Sequence, residues 1–275
     1  MPGIEDWQGQ VGETWASEWL RTDRSFSNLT PQLVDRVLRR EFTHALDIGC
    51  GAGELSIRVA GARPEAQVLG VDVNESLIAT ARERAGGSSN LAFEIHDAGR
   101  WTPPEEARPQ SLFSRHGVMF FDDPVAAFEN LRAAASPLGA ALTFSCFRSL
   151  SDNPFFTQIG ALLPKGEDLA DPTAPGPFAF ADRDRVASIL TDAGWRDIEF
   201  ERIDFEMIAG AGVDPVGDAC AYFNRIGPAA RALAGMPEEE RPPIRAKIAE
   251  LAASNLRDGK VAMMASVWIV TASTN

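Results

Sequence analysis

The chain reads as an α/β protein built on a doubly wound, mostly parallel sheet of seven strands with a helical cap. Three observations carry that reading. A buried strand, Ala45-Leu46-Asp47-Ile48, breaks into the glycine turn Gly49-Cys50-Gly51-Ala52-Gly53 and enters a helix at Glu54. A second strand-like run, Gln67-Val68-Leu69-Gly70-Val71-Asp72, ends in a carboxylate, where a nucleotide-binding half-sheet places an acceptor for a ribose diol. Strands and helices then alternate as far as residue 147 at the spacing of right-handed crossovers, which demands parallel strands.

Each element follows from local chemistry. Residues 5–28 hold Trp7, Trp15 and Trp19 among acids, and the spacing of Trp15 and Trp19 puts both on one helix face. Thr30 is the expected cap of a helix begun by Pro31. The first strand covers 43–48, and a helix follows over 53–62. After Asp72, Asn74 caps a helix over 75–85 that Gly86-Gly87 closes. Strand three runs from Leu91 to His96 and delivers Asp97; strand four covers 111–117.

Asp122 or Asp123 caps the next helix, with Pro124 at its first position, and strand five runs from Ala140 to Phe147. Residues 148–181 are proline-rich and read as an irregular insertion, too long for a plain loop. A helix over 182–193 ends at Gly194 and leads to strand six, near 196–207. Its alternation slips between Phe200 and Ile203, which predicts a bulge. Residues 208–259 form an Ala-rich helical cap, and Val261–Thr271 closes the sheet. The expected organisation is a lid over 1–40, a core over 41–207, the cap over 208–259 and the final strand over 260–275.

Composition narrows the chemistry. The 275 residues carry a net charge of −13, which excludes nucleic acid as the expected partner, since such binding draws on clustered Lys and Arg. Cys50, Cys146 and Cys220 are odd in number and widely spaced, as in a reduced compartment. The three histidines lack metal-ligand spacing, so no metal is expected. The first residues lack the apolar core of a signal peptide, and no run reaches the ~18 apolar residues of a membrane span. The expectation is a soluble cytoplasmic protein without a membrane partner; a homodimer stays open.

The glycine turn also bears on the ligand. A dinucleotide fingerprint needs a third glycine three residues after the second; here that position falls at Glu54 or Ser56. An acid at the helix start repels a phosphate where the helix dipole should attract one. A phosphate-free ligand with a positive centre suits the turn better.

The pattern Asp47-x-Gly49-x-Gly51-x-Gly53 followed by Asp72 resembles the first two motifs of the class I S-adenosylmethionine-dependent methyltransferases. The run Ser114-Arg115-His116-Gly117-Val118-Met119-Phe120-Phe121 and the turn Ser136-Pro137-Leu138-Gly139 are similar to those of small-molecule enzymes of ubiquinone and menaquinone biosynthesis. The resemblance covers 40–147 strongly, and 182–207 and 260–272 more loosely.

It implies a Rossmann-like methyltransferase fold with S-adenosyl-L-methionine as cofactor. Asp47, Gly49, Cys50, Gly51 and Gly53 would cradle the methionyl part, and Asp72 would grip the ribose. Asp97 would accept the adenine amino group between Val73 and Ala98, with Ser114 and Arg115 at the strand-four tip and Trp15 in a lid. His116 is the candidate general base, its ordinary pKa being near ~6.5. The box that holds planar amines in DNA-methylating relatives is absent. Phe155, Phe156, Phe178, Phe180 and Phe223 in the insertion and cap suggest a small apolar or aromatic acceptor, methylated at O, N or C. The alternatives are a non-catalytic binder of S-adenosylmethionine or S-adenosylhomocysteine, and a nicotinamide-dependent reductase.

Overall fold

The computed structural model describes residues 7–164, 171 and 173–275. The first six residues of the expected lid and part of the proline-rich insertion lie outside the described residues. The N-terminal segment forms α1 (Gln10–Ser17), α2 (Trp19–Ser25) and α3 (Thr30–Val37). Thr30 does not cap α3. It lies inside the helix, which its hydroxyl joins to the preceding turn through the Phe26 carbonyl at 3.1 Å.

The nucleotide half comprises β1 (His44–Ile48), α4 (Glu54–Ala62), β2 (Gln67–Asp72), α5 (Glu75–Ala85) and β3 (Leu91–Ile95). Asn74 caps α5, its Oδ1 accepting from the Leu77 amide at 2.8 Å, and Gly86 closes the helix in the left-handed region at φ 60°. The second half continues with β4 (Ser111–Arg115), α6 (Pro124–Ala134) and β5 (Ala141–Phe147). Asp123, rather than Asp122, caps α6 through the Ala126 amide. The insertion is not wholly irregular, because α7 (Pro154–Gly160) forms within it.

The chain then makes α8 (Arg183–Asp192) and the long strand β6 (Arg196–Gly210). The cap contains α9 (Pro215–Arg225), α10 (Pro228–Ala234) and α11 (Arg241–Ser254). A short β7 (Leu256–Arg257) turns into β8 (Lys260–Ser273). No described helix is long and apolar enough to cross a membrane.

One sheet runs in the order β3-β2-β1-β4-β5-β8-β6, with β7 paired to β8. Strands β1 to β5 pair in parallel, and β8 enters antiparallel between β5 and β6. The central strands β1, β4 and β5 are buried almost throughout, as expected where helices cover both faces. Pairing of β5 uses only residues 267–273 of β8. The rest of β8 continues with β6 as a two-stranded ribbon beyond the sheet, and the cap fills the gap between the ribbon's ends.

The expected bulge between Phe200 and Ile203 does not form: both residues pair in continuous register with Val270 and Val267. The slip in alternation records a change of covered face. Phe200 packs edge-on against Trp268, whereas Phe205, an odd number of residues further on, packs beside Phe26 on the opposite face. The register shifts lie instead between Arg196 and Glu199 and between Ile208 and Gly210.

Trp195, 2% exposed, locks the far end of the sheet to α6 by donating its indole N–H to the Phe128 carbonyl at 3.0 Å. Trp195→Ala should destabilise the protein by about 3–5 kcal/mol. Urea denaturation checks this value against wild type.

Candidate functional site

The strand order reverses between β1 and β4, and ligands of open α/β sheets bind at such a switch point, outside the carboxyl ends of the strands. The glycine turn leaves β1 at that place. Gly49, Gly51 and Gly53 all have positive φ, at 63°, 55° and 83°, but they serve different ends. A side chain on Gly49 would stand 3.0 Å from the Gly117 Cα, and one on Gly53 would meet the Phe93 ring at 2.8 Å. Those two glycines let backbone and helix pack. Gly51 alone faces open space.

Asp72 closes the turn from β2. Its two oxygens accept the amides of Gly51 at 2.9 Å and Asn74 at 3.0 Å. Burial raises its pKa against the pull of those amides. A carboxylate has about four acceptor sites, so both oxygens keep capacity for a diol. Asp72 pairs with Ile95 across the sheet, which sets Asp97 just beyond the neighbouring strand end. Asp97 accepts the Gly99 amide at 2.9 Å. Ala98 is buried, and Val73 is half-buried.

Asp47 lies beneath the turn, 1% exposed. Its Oδ2 accepts from the Ser56 hydroxyl at 2.6 Å, whereas Oδ1 has no partner. Burial pushes its pKa up to about 7. An unpartnered buried acceptor is costly, and a cationic donor would relieve it. Cys50 points elsewhere: its side chain belongs to a small apolar cluster with Ile78, Ala81 and Phe93, so only its backbone belongs to the turn.

The N-terminal segment lies across this cradle. The Asn74 side chain donates to the Trp7 carbonyl at 2.8 Å. Trp7 packs on Trp15, with ring centroids 5.6 Å apart, and edge-on against Phe120 at 4.9 Å. The Trp7 indole nitrogen is buried without a partner. Trp15 and Trp19 do not share a helix face as their spacing predicts, because the helix breaks at Glu18. Trp19 instead lies under the Arg84 guanidinium, 3.9 Å from its centroid.

The strand-four tip departs most from expectation. Ser114, fully buried, donates to the Ile48 carbonyl at 2.7 Å and accepts the Gly117 amide at 3.1 Å; it clamps β4 to β1. Arg115 reaches away from the turn's open side, to Glu54, to the Thr30 hydroxyl at 2.9 Å and to Asp23 at 3.5 Å. Burial raises the pKa of Glu54, but Arg115 and then Arg58 outweigh it and hold the carboxyl below its usual range. The negative charge of Glu54 is therefore compensated. Its expected repulsion of a phosphate fails as an argument, and the missing third glycine remains the sequence reason against a dinucleotide.

His116 adopts φ 66° and packs between Phe26 and Phe147 at 5.0 and 4.3 Å. Its Nδ1 lies 3.1 Å from the Ser145 hydroxyl, and its Nε2 is buried without a partner. Burial and then the Arg115 charge lower its pKa to about 3. An imidazole so weakly basic is poorly matched to general-base work near neutral pH, so the geometry favours a neutral, packed histidine.

The aromatics taken as acceptor-binding turn inward. Phe155, Phe180 and Phe223 are buried, and Phe156 and Phe178 stack on Phe147. These rings pack on one another, which removes the stated reason for an apolar acceptor. Tyr222 is also buried and donates to the Ser25 hydroxyl at 3.2 Å.

The structure thus brings together the expected Gly51, Asp72, Asp47 and Trp15. It directs the side chains of Cys50, Ser114 and Arg115 to packing or pairing. Sequence reasoning missed Asp23 and Arg84, named Phe120 only within the strand-four run, and saw Asn74 only as a cap. No spacing rule links residues so far apart in the chain.

The fold is that of solved methyltransferases with a Rossmann-like sheet. Residues 40–173, just under half of the chain, match the methyltransferase-domain family. Trans-aconitate 2-methyltransferase of Variovorax paradoxus is 32% identical over 108 residues, covering 39% of this chain and 40% of that protein. The Methylobacterium radiotolerans protein of the same name is 25% identical, covering 61% of this chain and 60% of its own length. The chain therefore spans less than two thirds of these relatives. Phosphoethanolamine N-methyltransferase 2 of Haemonchus contortus, solved with S-adenosyl-L-methionine, shares the fold. Its TM-score is 0.57 at 16% identity, covering 99% of this chain and 60% of that one.

The buried His116 sets a pH test. Its folded pKa of about 3 lies below the usual 6.5, so the unfolded state binds the extra proton. Its contribution to stability is complete above pH 6.5 and falls as pH drops toward 3, by up to ~1.4 kcal/mol per pH unit. Asp47, raised from 3.8 to about 7, gives the opposite slope between those values. Denaturation of wild type and His116→Gln at pH 4, 5 and 6.5 should show a difference that grows with pH.

Proposed function

We propose that the protein transfers a methyl group from S-adenosyl-L-methionine to an oxygen, nitrogen or carbon of a small molecule. The observation that carries this reading is Asp72, fixed by two backbone amides beside the one glycine of the turn that faces open space. The relatives' names support the reaction class, and the charge of −13 supports an acceptor other than nucleic acid. A cytoplasmic site of action and the division into lid, core and cap belong to the same reading.

Bound S-adenosylmethionine would supply a methyl carbon activated by a positively charged sulfur. The chain's own task is to bind and orient. Asp72 would hold the ribose diol, Asp97 the adenine amino group, and Val73 with Ala98 the adenine faces. The Asp47 carboxyl, with its free oxygen, suits the cationic amino-acid end. Trp7 and Trp15 would shield the site from water, and their faces attract a cation. The remaining help is alignment, since holding a nucleophile in line at near-attack distance is worth several kcal/mol, up to about 7–11. Neutral His116 is assigned no proton transfer.

Asp72→Asn keeps one acceptor oxygen and loses the charge. It should weaken S-adenosylhomocysteine binding by about 1.5–3 kcal/mol, read by titration calorimetry; wild-type affinity would refute the site. A second signature comes from Asp47. A cationic amine near a carboxyl with pKa about 7 favours its ionised form. Binding at pH 7 should then release protons, measured as a dependence of the calorimetric heat on buffer ionisation enthalpy.

A further inference from the structure

A buried ion network lies behind the cofactor turn and joins segments far apart in sequence. Arg84, in the last turn of α5, donates through one guanidinium nitrogen to the carbonyl of Ala52, the residue between Gly51 and Gly53. Its other terminal nitrogen pairs with Asp23 of α2 at 2.5 Å, and its plane stacks on Trp19 of the same helix. Both charged side chains are only 16% exposed. The second oxygen of Asp23 faces Arg115, 3.5 Å away, and Arg115 pairs with Glu54 where α4 leaves the turn.

The turn is therefore gripped on two sides by groups that depend on α2 being in place. Undocking α2 would strip Arg84 of both its counter-ion and its aromatic platform, and would take one acid from Arg115. Burial, and the nearby Glu54 charge, raise the Asp23 pKa over the opposing pull of Arg115 and Arg84. Breaking a buried pair on one side leaves an uncompensated charge, which is strongly destabilising.

Resting on the function proposed above, we infer that Asp23 and Arg84 are positioning residues that make the cofactor turn competent only while α2 is docked. Neither residue is a ligand-binding group. They act through the Ala52 carbonyl, and so through the backbone of Gly51 that Asp72 engages. Linkage makes the effect reciprocal: a ligand that favours the formed turn must favour docked α2 by the same factor.

S-Adenosylhomocysteine is the probe. Hydrogen exchange on wild type should show the α2 amides slowed by saturating probe, in step with those of the glycine turn. Calorimetry should show Asp23→Asn and Arg84→Lys binding the probe weaker, on the order of tenfold. Arg84→Lys keeps the charge but lacks the fork that reaches Ala52 and Asp23 together. In a turnover assay the cofactor KM should rise while kcat and the acceptor KM hold, a split that general loss of stability does not produce.

Unchanged α2 exchange in a wild-type protein that binds the probe would overturn the inference and leave the function standing. So would wild-type affinity in both variants. Failure of the wild type to bind the probe would instead remove the function and this inference with it. If a variant does not fold, the wild-type exchange measurement decides alone.

Discussion

The arrangement depends on how closely the ends of β1 and β4 approach. Gly49 and Gly117 have no side chains, and a Cβ on Gly117 would sit 2.6 Å from the Ile48 carbonyl. Ser114 fills the remaining need by donating to that same carbonyl and accepting the Gly117 amide. Loop backbone so near a sheet must have its polar groups paired, and one hydroxyl pairs two of them. With the two strand tips clamped, the turn after β1 bends toward β2, where Asp72 meets the Gly51 amide. Every other contact of the cradle is arranged around that bend.

Charge is the second constraint. The chain is strongly acidic, and its carboxylates at the turn are managed in three ways. Asp72 is held by backbone amides, Asp47 by one serine with an oxygen left over. Glu54 is answered by arginines from the strand-four tip and from its own helix. The first two remain available to a ligand, and the third does not. Three carboxylates around one turn thus have separate tasks, set by which donors the fold brings near.

Much of this was legible in the sequence because it is local. The strand–glycine–helix run, the Asn74 cap, Gly86 and Gly194, and the continuous apolar strands all follow from neighbouring residues. What could not be read depends on distant partners. Arg115 looked like a residue of the cofactor site, yet its partners are Asp23, Thr30 and Glu54. His116 looked titratable until the rings of Phe26 and Phe147 were seen around it. The slipped alternation of β6 imitated a bulge because two layers cover opposite faces of one edge strand. Trp19 was paired by spacing with Trp15, and a single residue, Glu18, broke the helix between them.

The overhanging ribbon of β6 and β8 has a consequence for diversification. Gly210 and Val261 are register partners, so the segment between them leaves and re-enters at adjacent positions of one hairpin. Closing such a loop costs little more for a long segment than for a short one, about 0.6 kcal/mol per doubling of length. The architecture therefore lets that segment change in length cheaply, but Asp218 and Tyr222 within it bond Arg21 and Ser25 of α2, so a replacement must keep those contacts to leave the glycine turn undisturbed. Size can vary there, whereas the few side chains that seat the N-terminal helix are held in common by both parts of the chain.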